Sequence, residues 1–321
     1  MVAEFMGWQK HLHLRSEAAW GVRAANNPDI MIPHTSYSVA TQVATYQADL
    51  FVGLRQRRHS RVQRATLTGS LTTPLFAHHL SGKSIAQHLL EWGSASPASP
   101  LLPSMTADIF EANTDNKRHL GLRVRSMTLA GDAQVGTITL ELELEGNDEV
   151  GGIAPPTLSA TTPQPVEFLF DDVEMYLSDD AEAETATDPA ERIDIRSFRL
   201  RLDNNLKSYH TNSFYPSCLI AGVRAVSFQF SIFKTSNFLD NLRRTSAVSR
   251  RACRLLLKGR HLGTGPSGEF TTISILLDQL NFTGATDTAS LNELVTQSAE
   301  WVALKPSTVG SDVEILFGLS S

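Results

Sequence analysis

"VRAVSFQFSIFK", residues 223–234, alternates apolar and polar side chains, and "VQRATLTGSLTT", residues 62–73, does the same in different letters. A period of two marks a strand with one buried face. With Val62 set opposite Val223, the residues Ala65, Leu67, Gly69 and Leu71 fall opposite Val226, Phe228, Phe230 and Ile232, so one face of each strand is predicted to be core. Burying a side chain such as Phe228, Phe230 or Ile232 contributes about 1.5–3 kcal/mol. Both strands run into helical signals. In the first half Thr73 is placed to cap and Pro74 to open a helix; after a break at Ser81-Gly82, Ile85, Leu89 and Trp92 recur at helical spacing until Gly93 stops them. In the second half Ser236 is the candidate cap, followed by Phe238, Leu239 and Leu242 on one helix face.

Strands are predicted to resume after each helix. The first half offers "ADIFEAN", "LGLRVRSMTLAG" and "GTITLELELEGND"; the second offers "RACRLLLKGRH", "EFTTISILLDQLNFTG" and "SDVEILFGL". Two more strands, "PVEFLFDDVEMYLS" and "RIDIRSFRLRLDNN", precede the second helix, the latter alternating Phe198, Leu200 and Leu202 before Asp203-Asn204-Asn205 turns it. Between the halves "GGIAPPTLSATTPQPV", residues 151–166, is rich in Gly, Pro, Ser and Thr and has no apolar period. The expected organisation is a tandem duplication: a unit at 1–151, a Pro/Ser/Thr linker at 152–165 and a second unit at 166–321. The expected fold class is mainly β with short helices, each unit a β-sandwich or barrel with one helix. "GSASPASPLLPS", Gly93 to Ser104, has linker chemistry but stands inside the first half and reads as a loop.

The chain has 321 residues, enough for two ordinary domains, and 41% hydrophobic with 19% charged residues fits a globular protein. No apolar run approaches the roughly 20 residues of a membrane helix, so no membrane insertion is expected. The start, "MVAEFMGWQKHLHLRSEAAWG", lacks a basic segment followed by an apolar run, which predicts assembly in a cytoplasm. Cys218 and Cys253 stand alone without metal-ligand spacing and read as free thiols. A net charge of -6 argues against a general nucleic-acid binder. That charge is segregated: Asp171, Asp172, Glu174, Asp179, Asp180, Glu182, Glu184, Asp188 and Glu191 occur with no Lys or Arg among them, while Arg55, Arg57, Arg58, Arg61 and Arg64 occur with no acid. Either run is read as a solvated turn, or the two as complementary association surfaces.

Catalytic signatures are missing. No GxSxG, HExxH, P-loop or paired CxxC occurs; His78, His79 and His88 have no carboxylate or cysteine at ligand spacing and read as surface or partly packed histidines, while His11 and His13 share one face of a short extended stretch, where a two-ligand site is the lesser alternative, so no catalytic residue, metal or cofactor is predicted. "GTGPSG", Gly263 to Gly268, lacks the Lys-Ser/Thr of a phosphate loop and reads as a hairpin loop. In "TLELELEG" the residues Leu140, Leu142 and Leu144 face one way and Thr139, Glu141, Glu143 and Glu145 the other, the pattern of a sheet with a packed side and a wet side.

"RSFRLRLDNNLKSYHTNSFYPSCLIAGVRAVSFQFSIFKTSNFLDNL", Arg196 to Leu242, resembles the duplicated form of tail tube protein of long-tailed bacteriophages. The likeness lies in a strand entering an Asp-Asn-Asn turn, then an Ile-x-Gly-x-Arg step at Ile220, Gly222 and Arg224, then an alternating strand and a short helix. "DLFVGLRQRRHSRVQRATLTGSLTTPLFAHHL" echoes it with Gly53 and Arg64, and "HLGLRVRSMTLAGDAQVGTITLELELEG" resembles the closing hairpin. The first half departs in lacking a strong equivalent of the two strands at 166–202, and residues 285–308 read as a helix or an irregular arm.

The resemblance implies a structural virion protein. It would polymerise into stacked trimeric rings of pseudo-sixfold symmetry, pairing sheet edges around a lumen through which DNA passes without specific binding. Its partners would be itself and other tail proteins such as tape measure, terminator and baseplate, and its place the virion tail, after assembly in the host cytoplasm. Glu141, Glu143 and Glu145 are then candidate lumen-facing residues, and Arg55, Arg57 and Arg58 with Asp179, Asp180 and Glu182 candidate inter-ring contacts. The rival readings are a non-polymerising β-rich tail adaptor, terminator or baseplate protein, and last an esterase-like hydrolase.

Overall fold

A computed structural model describes residues 10–23, 30–48, 59–77, 79–80, 83–94, 102–111, 116–154, 166–178, 192–234, 251–259, 270–289, 294–304 and 312–320. The chain is mainly β. Its first half contains β1 (Lys10–Ala19), β2 (Val22–Arg23), β3 (Ile30–Ile32), β4 (Ser36–Tyr37), β5 (Ala40–Ala48) and β6 (His59–Pro74), then β7 (His79–Leu80), β8 (Lys83–Ser84) and the helix α1 (Ile85–Gly93), then β9 (Met105–Glu111), β10 (Lys117–Asp132), β11 (Ile138–Gly146) and β12 (Asp148–Gly151). The second half contains β13 (Val173–Ser178), β14 (Arg192–Ile193), β15 (Ser197–Asp203), β16 (Lys207–Tyr209), β17 (Cys218–Ile220), β18 (Ala225–Phe233), β19 (Arg251–Lys258), β20 (Phe270–Thr288), β21 (Thr296–Ala303) and β22 (Glu314–Ser320).

The strands that carry the two quoted stretches, β6 and β18, bury the predicted faces, Ala65, Leu67 and Leu71 on one and Val226, Phe228, Phe230 and Ile232 on the other, but the pairings match Leu67, opposite Gly146, with Val226, opposite Ala303, two residues from the alignment of Val62 with Val223. Gly69 stands where a side chain has no room, because a Cβ would lie 2.4 Å from Val39 Cα, where the chain between β4 and β5 crosses β6. Buried apolar residues from both halves form one cluster, around which the strands wrap like a barrel.

The two halves repeat their pairings. In the first, β1 pairs with β3 and β9, β9 with β10, β10 with β11 and β12, and β6 with β5 and β11. In the second, β13 pairs with β14 and β19, β19 with β20, β20 with β21 and β22, and β18 with β15 and β21. The long strands are even bulged alike: β10 shifts register between Val124 and Ser126 opposite Leu144 and Glu143, and β20 between Phe282 and Gly284 opposite Trp301 and Glu300. A bulge at one place in both hairpins bends both sheets at the same point.

Three expectations change. Thr73 and Pro74 close β6 rather than open a helix; α1 starts at Ile85, where the Ser84 side chain accepts a hydrogen bond from the Gln87 amide at 3.0 Å. The hydroxyl of Thr73 donates instead to Pro33 O at 2.6 Å. Residues 285–308 hold neither helix nor arm where described: β20 continues to Thr288 and β21 follows, with alternating Gln297, Ala299, Trp301 and Ala303 buried. The first half does have counterparts of the strands at 166–202, namely β1 and the β4–β5 stretch, whose Thr-, Gln- and Ala-rich letters give a faint alternation. The predicted helix at 236–242, the "GTGPSG" loop, Gly53 and most of the linker lie outside the described residues.

Candidate functional site

One ladder joins the halves. β10 pairs antiparallel with β15 from Ser126·Asp203 to Asp132·Ser197, so the sheet runs unbroken through β5, β6, β11, β10, β15, β18, β21 and β20. Its apolar face is core: Leu142, Met127, Leu202 and Val226 are each no more than 2% exposed. Side chains alternate across a sheet, so the other face is the one written in polar letters. The register places Thr72, Glu141, Thr128, Arg201, Ser227 and Val302 in one row across it, and Thr139, Ala130, Arg199, Gln229 and Glu300 in the next.

The three candidate glutamates share this face of β11 but differ in setting. Glu141 is exposed, and Glu143 is half-buried and accepts a hydrogen bond from Ser126 Oγ at 2.7 Å. Glu145 is only 6% exposed, and its burial raises its carboxyl above the ordinary range, against the opposing pull of Arg125 and a hydrogen bond from Ser208. What covers this end of the sheet is the excursion between β15 and β18. It carries the β16–β17 hairpin, accepts the Ala65 amide at Phe214 O at 2.9 Å, and accepts a hydrogen bond from Arg123 at Leu219 O.

Arg199 and Arg201 were not singled out in the sequence, yet both are exposed on the same face. The signal was available, since alternating Phe198, Leu200 and Leu202 turn the residues between them outward. Arg201 Nη2 lies 3.8 Å from Asp203 Oδ2, and Arg201 shares the row of Glu141, two strand spacings or roughly 10 Å away. The face is therefore mixed in charge, with acids on β11 and β21 and arginines on β15.

The Asp-Asn-Asn turn and the Ile-x-Gly-x-Arg step sit at the joint. Asn205 takes a positive φ of 47°, its amide donating to Asp203 Oδ1 at 2.8 Å. Asn204 is 2% exposed and its side-chain amide donates to Gly93 O at 3.3 Å and Val124 O at 3.0 Å, tying the turn to the end of α1 and to the bulge of β10. Gly222 donates its amide to Asn204 O at 3.0 Å, and a Cβ there would meet Asn205 O at 2.9 Å. Arg224 donates to Ser94 O at 3.1 Å and forms an ion pair with Asp312; burial lowers its guanidinium to about 10. The motif thus stitches the second half to the first.

Of the other residues weighed, His13 is buried in β1, its ring 5.2 Å from Phe110 in an edge contact, and His88 lies on α1, 6.0 Å from Trp92. No group of three or more metal-ligating side chains occurs among the described residues. Cys218 and Cys253 are free thiols, Cys253 with its pKa pushed up by burial. Arg55, Arg57, Arg58, Asp179, Asp180 and Glu182 lie outside the described residues, as do His78 and the side chains of His11, His79 and Arg61.

The family model described as phage tail tube protein matches residues 7–303. No curated protein matches the chain.

Proposed function

This chain belongs to the phage tail tube protein family, a structural component of the virion tail, and from that premise we propose that it polymerises into stacked rings whose lumen carries the genome into the host cell. The observation that carries this reading is the β10·β15 ladder. It fuses the two repeated sets of strands into one sheet with one wet face, which is how a sheet grows when units are added side by side. The units at 1–151 and 166–321 each fill one of six equivalent places, so three chains close a ring. Tape measure, terminator and baseplate proteins are the expected neighbours at its ends.

The polar face of the joined sheet lines the lumen in this reading. Glu141 and Glu143 repel the phosphate backbone, and Arg199 and Arg201 are offset by acids on either side, so that DNA meets no continuous cationic track. Electron microscopy of the purified protein, with mass measurement of its rings, tests the proposal. Rings or tubes with three chains per ring are expected. Six chains per ring overturn the pseudo-sixfold arrangement, and discrete particles that never stack overturn the tube.

A further inference from the structure

We propose that a groove on the wet face of the joined sheet is a seat for one phosphate group of a nucleic-acid backbone, with Arg199 as its cation. The inference rests on the reading of that face as the wall of the lumen and adds a discrete contact to it.

The groove crosses the ladder that joins the halves and has a volume of about 410 Å³. Register builds its floor. Asp132, Ser197, Ser231 and Ser298 lie in one row across β10, β15, β18 and β21, and Ala130, Arg199 and Gln229 lie in the next. Serine on three successive strands leaves a depression, and the longer side chains of Arg199 and Gln229 line it from the neighbouring row.

The lining is set to donate hydrogen bonds. Ser231 is 7% exposed, and its Oγ shares a hydrogen bond with Ser197 Oγ at 2.5 Å. One bond between two hydroxyls uses one hydrogen and leaves the second for another acceptor. Among the described residues no side chain or carbonyl takes that second hydrogen, and the side chains of Gln229 and Ser298 have no partner either. Arg201 Nη2 lies 3.8 Å from Asp203 Oδ2, whereas Arg199 pairs with no carboxylate among the described residues. The acid of the lining, Asp132, accepts from the Gln134 amide at 2.7 Å, and Glu300 lies two strand spacings, roughly 10 Å, from Arg199 along its row.

A guanidinium beside hydroxyl and amide donors from three strands fits an acceptor with oxygens on several sides. Phosphate is such a group and takes the planar fork of arginine bidentately, while a carboxylate offers only two oxygens in one plane. On a wall that DNA slides past, the phosphate at hand belongs to the backbone, whose contacts position a duplex without reading its sequence. The β10·β15 ladder occurs once in the chain, so each chain carries one such seat. Electrostatic affinity grows with the number of phosphates neutralised, so isolated seats open to water touch the duplex briefly and do not arrest it.

Titration of the dilute, unassembled chain with inorganic phosphate, with acetate and with a short DNA duplex, all at one ionic strength, tests the seat. Phosphate and duplex are expected to compete for it, and acetate at the phosphate concentration to compete poorly. Arg199→Gln should weaken phosphate binding about tenfold, as the loss of a hydrogen-bonded charge does, and Arg199→Lys should keep part of the affinity. Arg201→Gln, outside the groove, should change it by less than about twofold, with melting of each variant checking that it is folded. Unchanged phosphate affinity in Arg199→Gln overturns the seat. Acetate that binds as well as phosphate, or bound phosphate that the duplex cannot displace, overturns its assignment to a nucleic-acid backbone. Ejection from particles carrying Arg199→Gln separates the seat from the lumen reading: DNA should leave faster than from the parent. Loss of binding with ejection at the parental rate would uphold the seat and overturn the placement of this face on the DNA path.

Discussion

Asn204 occupies a buried site with its side-chain amide serving two carbonyls of the first half, Gly93 O and Val124 O. Replacing it by Ala leaves buried acceptors without their donor, which costs about 1–3 kcal/mol. The expected outcome of Asn204→Ala is a lower urea midpoint with an unchanged slope, whereas an unchanged midpoint would remove Asn204 from the joint. His119 sets a pH limit. It is 2% exposed; the Tyr37 hydroxyl and its Nδ1 share a hydrogen bond at 2.8 Å, and its Nε2 lies 3.6 Å from Glu149 Oε2. Burial lowers it from 6.5 to about 4, with Glu149 raising it and Lys117 lowering it by smaller amounts. The folded pKa is below the unfolded one, so the unfolded chain takes the proton first as the pH falls. Stability from this residue is complete above about pH 6.5 and lost progressively down to about pH 4, a total on the order of 3 kcal/mol. Urea midpoints measured at pH 7 and pH 4.5 should differ accordingly, and His119→Gln should shrink the difference.

Alternation made the strands legible, and at this scale the wet face follows from it. Because Glu141 and Glu143 are the acids of β11 that reach open water on that face, Glu141→Lys with Glu143→Lys is expected to leave tubes that assemble but slow DNA ejection from particles, by attracting phosphate to the wall. Ejection at the parental rate would take these residues away from the DNA path. Glu145 is left out of that variant, since a lysine there would bury a charge beneath the β16–β17 excursion. Its burial was not readable from "TLELELEG", because period two tells which face a side chain takes and not what a loop some sixty residues later lays over it. The helix start was misread for a similar reason: Thr-Pro suits both a helix N-terminus and a strand end, and the contact of Thr73 with Pro33 O decides between them. β21 escaped notice because "TQSAEWVA" mixes small, polar and aromatic letters on its buried face, where Gln297 is fully buried.

At the scale of the whole molecule, the proposed tube requires stacked rings to find a common register. Arg64 is exposed near the start of β6, following the run Arg55, Arg57, Arg58 and Arg61, and the acids from Asp179 onward follow β13 directly. Arg55, Arg57 and Arg58 thus fall between the paired strands β5 and β6, and the acids from Asp179 onward between the paired strands β13 and β14, so the strands fix where each connection leaves and rejoins the sheet. We propose that these oppositely charged connections meet between stacked rings. Exposed pairs contribute only about 0–1 kcal/mol each and are screened beyond about 8 Å at physiological salt, so the effect belongs to the rate of ring addition more than to the finished tube. Tube growth followed by light scattering should slow as salt rises. Reversing Arg55, Arg57 and Arg58 to Glu should slow it at low salt, and adding Asp179→Lys, Asp180→Lys and Glu182→Lys to the same chain should restore part of the rate, because the pairing is rebuilt with its signs exchanged. Additive defects without rescue, together with salt-independent growth, would mean that the two runs never meet, leaving stacking to the strand-built surfaces of the ring.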